Sequence, residues 1–269
     1  MIDELGLASL DAARIGATYI RSRAADLATL DWREKSRADF VSDVDVGAES
    51  RITDHLRRRC PGADIVGEEL SPAAVLTSDL AFVVDPLDGT TNFLHGYPQY
   101  AVSIAAIAGG ELVAGCVLDV PRDSVCTATL GGGAWRDGVP IGVSTIGESR
   151  RALIGTGFPF KQPERSAEYL PQLARVIAAT AGVRRAGAAA LDLTDVASGR
   201  LDAFWELMLA PWDVAAGLLI IREAGGRVTD LEGRDALPAH GPIVATNGTL
   251  HDWLLEALSP RSAGAALGY

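Results

Sequence analysis

Two aspartates three residues apart close an apolar run: Leu80, Ala81, Phe82, Val83 and Val84 lead into Asp85-Pro86-Leu87-Asp88-Gly89-Thr90-Thr91-Asn92-Phe93. A short apolar run bounded by turn residues reads as a buried strand. At its end Asp85 and Asp88 emerge together at a sheet edge, Pro86 stiffens the turn, and the Leu87 carbonyl can aim between them. Three oxygen donors on one turn suit hard divalent ions such as Mg²⁺, and one carboxylate can bridge two ions. The same residues also fit a plain turn, because Asp, Pro and Gly favour turns for local reasons. Gly89, Thr90, Thr91 and Asn92 add unobstructed backbone N–H groups at the start of a possible helix, an arrangement that binds phosphate. Thr90 could orient a water there, or the threonines could simply cap the helix.

Further acids follow other short elements. Glu68-Glu69 follows Ile65-Val66-Gly67, so one carboxylate can ligate a metal while the other grips water, although such pairs are common on surface turns. In Pro211-Trp212-Asp213-Val214-Ala215-Ala216-Gly217, Asp213 sits where a helix N-cap belongs, ahead of small residues that permit close approach to other backbone. Asp45 begins a second helix, and Glu206 stands seven residues before Asp213.

Composition narrows the function classes. A chain of 269 residues with 48% hydrophobic content buries a sizeable core. Its net charge of −11 repels polyphosphate backbones, so nucleic acid is disfavoured, whereas small phosphates stay accessible if metal ions reverse the local field. Cys60, Cys116 and Cys126 are widely spaced and lack disulfide or zinc patterning, and no pair of the four histidines has ligand spacing. A reduced cytoplasm fits best. The first residues lack a signal-peptide pattern, and no apolar stretch reaches the ~20 residues of a membrane span.

Strands and helices interleave along the chain. Periodicity predicts helices over 2–30, 45–59, 166–181, 188–199 and 214–224. It predicts strands at 64–66, 80–84, 101–108, 112–120, 124–130, 152–156 and 203–205, and near Arg227 and Ile243. Gly109-Gly110 and Gly131-Gly132-Gly133 read as tight reversals; no Gly-Lys-Ser/Thr follows to make a phosphate loop. Arg57, Arg58 and Arg59 complement the dipole at a helix end. With no linker or repeat, the expectation is one mixed α/β unit over 1–269, in two intimate halves of roughly 1–145 and 146–269.

The stretches VVDPLDGTTNF and PWDVAAG, supported in order by VSDVD, VGEE and EAGG, resemble the inositol monophosphatase family over nearly the whole chain. Members are magnesium-dependent, lithium-sensitive phosphatases of sugar phosphates. The resemblance implies a layered αβαβα sandwich of the inositol monophosphatase and fructose-1,6-bisphosphatase type, and a homodimer. It implies that Glu68, Asp85 and the Leu87 carbonyl bind one Mg²⁺, that Asp85, Asp88 and Asp213 bind a second, and that a third leans on Glu68. Thr90, paired with Asp45, would activate a water for in-line attack, with Glu69 supporting the water shell and the Gly89 and Thr90 amides holding the phosphate. Arg185 to Asp192, including Gly187, Ala188 and Ala189, lies where members hold the sugar-alcohol ring, and Glu206 would accept a polyol hydroxyl. Ala188 stands where a hydroxyl residue is usual, which implies relaxed selectivity. Lys35, on the polar segment Asp31 to Asp39 that resembles the family's mobile loop, would either flank the third ion or be a solvated surface lysine.

The favoured function is therefore hydrolysis of a small phosphate monoester, with myo-inositol 1-phosphate first. The alternatives are a broad sugar, polyol or histidinol phosphatase, or a relative acting mainly as a protein-binding regulator. Asp43-Val44-Asp45 superficially resembles the motif of aspartyl-phosphate phosphatases, but it lacks the long preceding apolar strand.

Overall fold

The computed structural model describes residues 2–74 and 77–260; Met1, 75–76 and 261–269 of the expected single unit lie outside the described residues. Helices α1 (Ile2–Arg23) and α2 (Asp43–Arg59) each turn one small, apolar face inward: Leu5, Ala8, Ala12, Ala13, Ala17 and Ile20 on α1, and Val44, Ala48, Ile52 and Leu56 on α2. The predicted single helix to Leu30 instead ends at Arg23 and tightens into a 3-10 turn over Ala24–Thr29. After Ile20 the apolar spacing departs from 3.6 residues, and the tighter turn returns Leu30 to the interior.

The polar segment between these helices, read from sequence as a loop, is a hairpin of β1 (Trp32–Ser36) and β2 (Asp39–Ser42), with Ala38 left-handed (φ 54°) at its tip. All five β1 residues are exposed, so no hydrophobic alternation marked the strand. Trp32 meets Phe40 edge-on, with ring centroids 5.3 Å apart.

The larger sheet runs β3 (Asp64–Gly67), β4 (Leu80–Asp88), β5 (Ala101–Ala108), β6 (Glu111–Asp119), β7 (Ser124–Thr129), β8 (Ala134–Arg136) and β9 (Val139–Pro140) in spatial order. Strands β3 and β4 are parallel; from β4 onward each neighbour is antiparallel, and short α3 (Thr90–Leu94) connects β4 to β5. Both glycine reversals close hairpins, with Gly109 and Gly110 at φ 58° and 83°.

The smaller sheet orders its strands β11-β10-β12-β14-β13, from β10 (Leu153–Thr156), β11 (Gly182–Arg184), β12 (Ala203–Leu209), β13 (Arg227–Thr229) and β14 (Gly241–Thr246). Helix α4 (Ser166–Ala179) and α7 (His251–Leu258) cover its outer face through Tyr169, Val176, Leu254 and Leu258. Between the two sheets lie α5 (Ala189–Ala197) and α6 (Pro211–Glu223), while α1 and α2 cover the far side of the larger sheet. The layers are thus αβαβα, as the resemblance implies. No described helix is long and apolar enough to cross a membrane, and all three cysteines are free.

The small residues at the start of α6 serve the close approach read from their sequence. A Cβ built on Gly115 of β6 would lie 2.9 Å from the Ala216 carbonyl oxygen, so only glycine lets the helix backbone rest on the sheet there. Gly115→Ala is expected to lower stability by about 1–3 kcal/mol in urea denaturation. Gly142→Ala, whose nearest atom would be 3.7 Å away, should be close to neutral.

Candidate active site

Register brings the first acids together. In the parallel pair Gly67 of β3 lies opposite Val84 of β4, and the Glu68 N–H donates to the Val84 carbonyl at 3.2 Å, so Glu68 leaves the sheet beside Asp85. Residues 85 and 88 of a regular strand would point to opposite faces. An irregularity in the β4–β5 register between Asp85 and Asp88 breaks that alternation, and both carboxyls line one cavity of about 260 Å³ with Glu68, Thr90, Glu206 and Asp213.

Each of the three aspartates is tied to its own backbone donor. Asp85 accepts from the Leu87 N–H at 2.9 Å, and Asp88 accepts from the Ala190 N–H at 2.8 Å in the first turn of α5. Asp213 is not the N-cap the sequence suggested. Ala210 is the N-cap and Pro211 opens α6, because proline suits the first helical position; Asp213, two residues later, reaches back to accept the Ala210 N–H at 2.6 Å.

These acids destabilise one another's ionised forms. Asp85 and Asp88 are 1% and 8% exposed. Burial, then Glu68, Asp88 and Asp213, hold the Asp85 carboxyl well above its usual range. Burial and Asp213 push Asp88 up to about 8. The half-buried Asp213 is pushed to about 7 by its low-dielectric surroundings and by Glu68, and its carboxyl lies within hydrogen-bonding reach of Asp85.

Thr90 joins this cluster to α2. Gly89, left-handed at φ 89°, turns the chain from β4 into α3, so Thr90 Oγ1 donates to Asp45 Oδ1 at 2.7 Å and lies 3.1 Å from the Leu87 carbonyl. A hydroxyl has one proton, and the shorter contact to the carboxylate takes it. Asp45 also accepts from the Ser42 N–H and hydroxyl at 2.8 and 2.6 Å, an arrangement that caps α2. Burial nevertheless raises its pKa. The aspartyl-phosphate reading of Asp43 to Asp45 fails here, since these residues open a helix rather than end a core strand.

Lys35 is not a solvated lysine. Its Nζ bridges Glu68 at 3.0 Å and Glu69 at 2.6 Å, and those carboxylates raise its pKa despite burial. Glu69 is itself raised to about 7 by burial and by Glu68. Sequence reasoning missed Glu49, fully buried on α2, which accepts the Glu69 and Leu70 N–H groups at 2.7 and 3.0 Å and so shapes this acidic turn. Its only signal was a charge on the buried face of an amphipathic helix.

The far wall comes from the other half of the chain. Asn92 Nδ2 lies 2.7, 3.0 and 3.2 Å from the Gln99, Ala186 and Gly187 carbonyls, and its two N–H groups, shared among them, pin α3 to the segment before α5. Ala188 is the N-cap of α5 and brings no capping oxygen. The half-buried Glu206 enters from β12, where Gly157 leaves room: a Cβ there would fall 2.0 Å from its carboxyl. Burial, then Asp213, raise Glu206 to about 8. A second cavity of about 410 Å³ lies elsewhere, but its arginines 122, 136 and 200 are paired with Asp119 and Asp195. The excess of acid marks the first cavity as the chemical one.

The model of the Inositol monophosphatase family matches residues 1–263. The chain belongs to the inositol monophosphatase family. It is 43% identical over 256 residues to the Nus factor SuhB of Pseudomonas aeruginosa, covering 94% of each chain. It is 42% identical over 230 residues to the inositol-1-monophosphatase of Mesorhizobium japonicum, covering 85% of this chain and 86% of the relative. The crystal structure of extragenic suppressor protein suhB from Bartonella henselae superposes with a TM-score of 0.89 at 38% identity, covering 94% of this chain and 97% of that one.

Family membership makes the donor set a question of fit to a divalent cation. Among the described residues no three Asp, Glu, His or Cys side chains are already drawn into a coordination sphere. The candidate ligands lining the cavity are nevertheless all oxygen and crowded, burial and mutual repulsion raise the pKa values of Asp85, Asp88 and Asp213, and that chemistry fits Mg²⁺. A pH dependence follows. Asp88 and Asp213 bind protons in the folded state up to about pH 8 and 7, against about 4 in the unfolded chain. Their stabilising contribution is therefore full below pH 4 and lost as pH rises through 7 to 8. With chelator present, the melting temperature should fall from pH 6 to 9, and Mg²⁺ should restore it more strongly at higher pH. Asp88→Asn should flatten both effects in calorimetry; a protein indifferent to Mg²⁺ at pH 8.5 would contradict the fit.

Proposed function

We propose that the chain hydrolyses small phosphate monoesters in a Mg²⁺-dependent reaction, with myo-inositol 1-phosphate as the substrate that suits it best. The observation that carries this reading is the Thr90–Asp45 hydrogen bond placed against the acidic cluster in one cavity. Glu68, Asp85, Asp88, Asp213 and the Leu87 carbonyl would hold two ions, with room for a third at Glu68. When bound, Mg²⁺ supplies the positive charge that offsets the ester's anionic oxygens and eases deprotonation of a water.

The chain's own residues supply the rest. Because Thr90 gives its proton to Asp45, its oxygen lone pairs are available to accept from a water and orient it toward phosphorus. Attack in line breaks the P–O bond to the alcohol, and no covalent enzyme intermediate is needed. The amides of Gly89 and Thr90 would position the phosphate, and Glu69, held by Lys35, would order solvent at the cavity rim. Glu206 would accept a hydroxyl of the leaving alcohol, with Gly187, Ala188 and Ala189 against its ring. Without a hydroxyl at Ala188, sugar and glycerol phosphates should also be accepted. Free thiols suit a reducing cytoplasm, and family membership supports a homodimer.

Thr90→Ala and Asp88→Asn should each lower kcat on myo-inositol 1-phosphate about 10²- to 10⁴-fold, read as released inorganic phosphate. Glu206→Gln should cost about tenfold more in kcat/KM on that ester than on p-nitrophenyl phosphate; equal losses would remove its specificity role. The relative named as a Nus factor favours a second reading, a regulator acting through protein contact. Purified wild-type protein that releases no phosphate from inositol or other sugar phosphates with Mg²⁺ would decide for it.

A further inference from the structure

Glu49 takes no part in the reaction proposed above, yet it lies fully buried on the face of α2 that otherwise packs Val44, Ala48, Ile52 and Leu56. Both its oxygens are directed at one short stretch of backbone: Oε2 accepts the Glu69 N–H at 2.7 Å and Oε1 the Leu70 N–H at 3.0 Å. Lys35 pairs with Glu68 and Glu69 rather than with Glu49, so among the described residues these two amides are the close partners of its charge. Room for the contact comes from Gly67. A Cβ there would fall 2.0 Å from Glu49 Oε1, so a side chain at 67 and a glutamate at 49 exclude each other. The rest of the turn has other anchors: the Glu68 N–H reaches Val84, and the Gly67 N–H donates at 3.0 Å to Ser71 Oγ, which donates at 3.0 Å to the Ile65 carbonyl. Glu69 and Leu70 have Glu49.

As a stabilising device this is a poor choice. Burial raises the Glu49 pKa against the two amides, and Glu68 raises it further. A carboxylate is nevertheless the side chain that offers two acceptor oxygens to two adjacent N–H groups, whereas a glutamine would turn one donor toward another. What the cost secures is placement. Asp45 lies one turn earlier on the same buried helix face, about 6 Å along the axis, and accepts from Thr90. Helix α2 therefore holds the Thr90 hydroxyl with one carboxyl and the turn bearing Glu68 and Glu69 with the next.

We propose that Glu49 is a positioning residue that keeps the Glu68–Glu69 turn at a fixed distance from Thr90, so that the cation-binding carboxylates and the water-orienting hydroxyl act on one bound ester. This rests on the phosphatase reading and adds to it a residue that does not line the cavity.

The test sets wild type against Glu49→Gln and Glu49→Ala. In wild type, hydrogen exchange should show the Leu70 amide protected although that residue is 52% exposed. Glu49→Gln should speed exchange at 69 and 70 and weaken Mg²⁺ binding in calorimetric titration about tenfold, while kcat on myo-inositol 1-phosphate at saturating Mg²⁺ falls by less than about threefold. Val176→Ala, in the outer layer of the smaller sheet, should lower the melting temperature without changing Mg²⁺ affinity, which separates placement from plain stability. Glu49→Ala should enlarge both effects; if it does not fold, the glutamine variant and the wild-type exchange decide. An unprotected Leu70 amide in wild type, or unchanged Mg²⁺ affinity in Glu49→Gln, would overturn the assignment, and phosphate release by wild type would leave the phosphatase reading intact. A wild type that binds Mg²⁺ but releases no phosphate would instead remove that reading, with Glu49 then judged by exchange and Mg²⁺ affinity alone. One that binds no Mg²⁺ would overturn both.

Discussion

Like charges forced into one cavity are the constraint on which this molecule depends. Asp85, Asp88 and Asp213 crowd together with Glu68, and burial and mutual repulsion raise all three aspartates. A fold does not hold such an arrangement cheaply, because each carboxyl would be more stable charged and in water. The surrounding structure answers with backbone donors from β4, α5 and α6, and with Lys35 across Glu68 and Glu69. What the donors leave uncompensated is the negative charge that the proposed cations, and through them the proposed anionic ester, would meet.

The layered fold serves that crowding. Parallel pairing of β3 and β4 places Glu68 next to Asp85, and the register irregularity in β4 turns Asp88 to the same side. Glycine at 115 lets α6 lie on the sheet, and so positions the helix whose first turn carries Asp213. Glycine at 157 makes space for Glu206. Stability and function meet in these positions: the small residues that allow close packing also set where the acids stand.

Much of this was legible beforehand. The end of β4, the turn after β3 and the start of α6 are continuous in sequence, and their short-range chemistry announced strands, turns and acids together. The hairpin around Lys35 was not legible, since its exposed first strand shows no hydrophobic alternation and its partners, Glu68 and Glu69, lie more than thirty residues away. Glu49 was hidden for a related reason: a buried acid in a helix has no local signature, and its role depends on amides of a distant turn.

By itself the sequence determined the element types, the alternation that stacks them, the oxygen-only chemistry of the acidic motifs and the family to which they belong. These follow from periodicity, turn propensity and side-chain type, all local properties of the chain. Tertiary structure alone decided that Thr90 reaches Asp45, that Lys35 grips two glutamates, and that Asp213 sits at the third helical position rather than the cap. The pairings of Thr90 with Asp45 and of Lys35 with the two glutamates join residues far apart along the chain, and only the packing of sheet on helix brings them within the few ångströms at which hydrogen bonds and unscreened charges act.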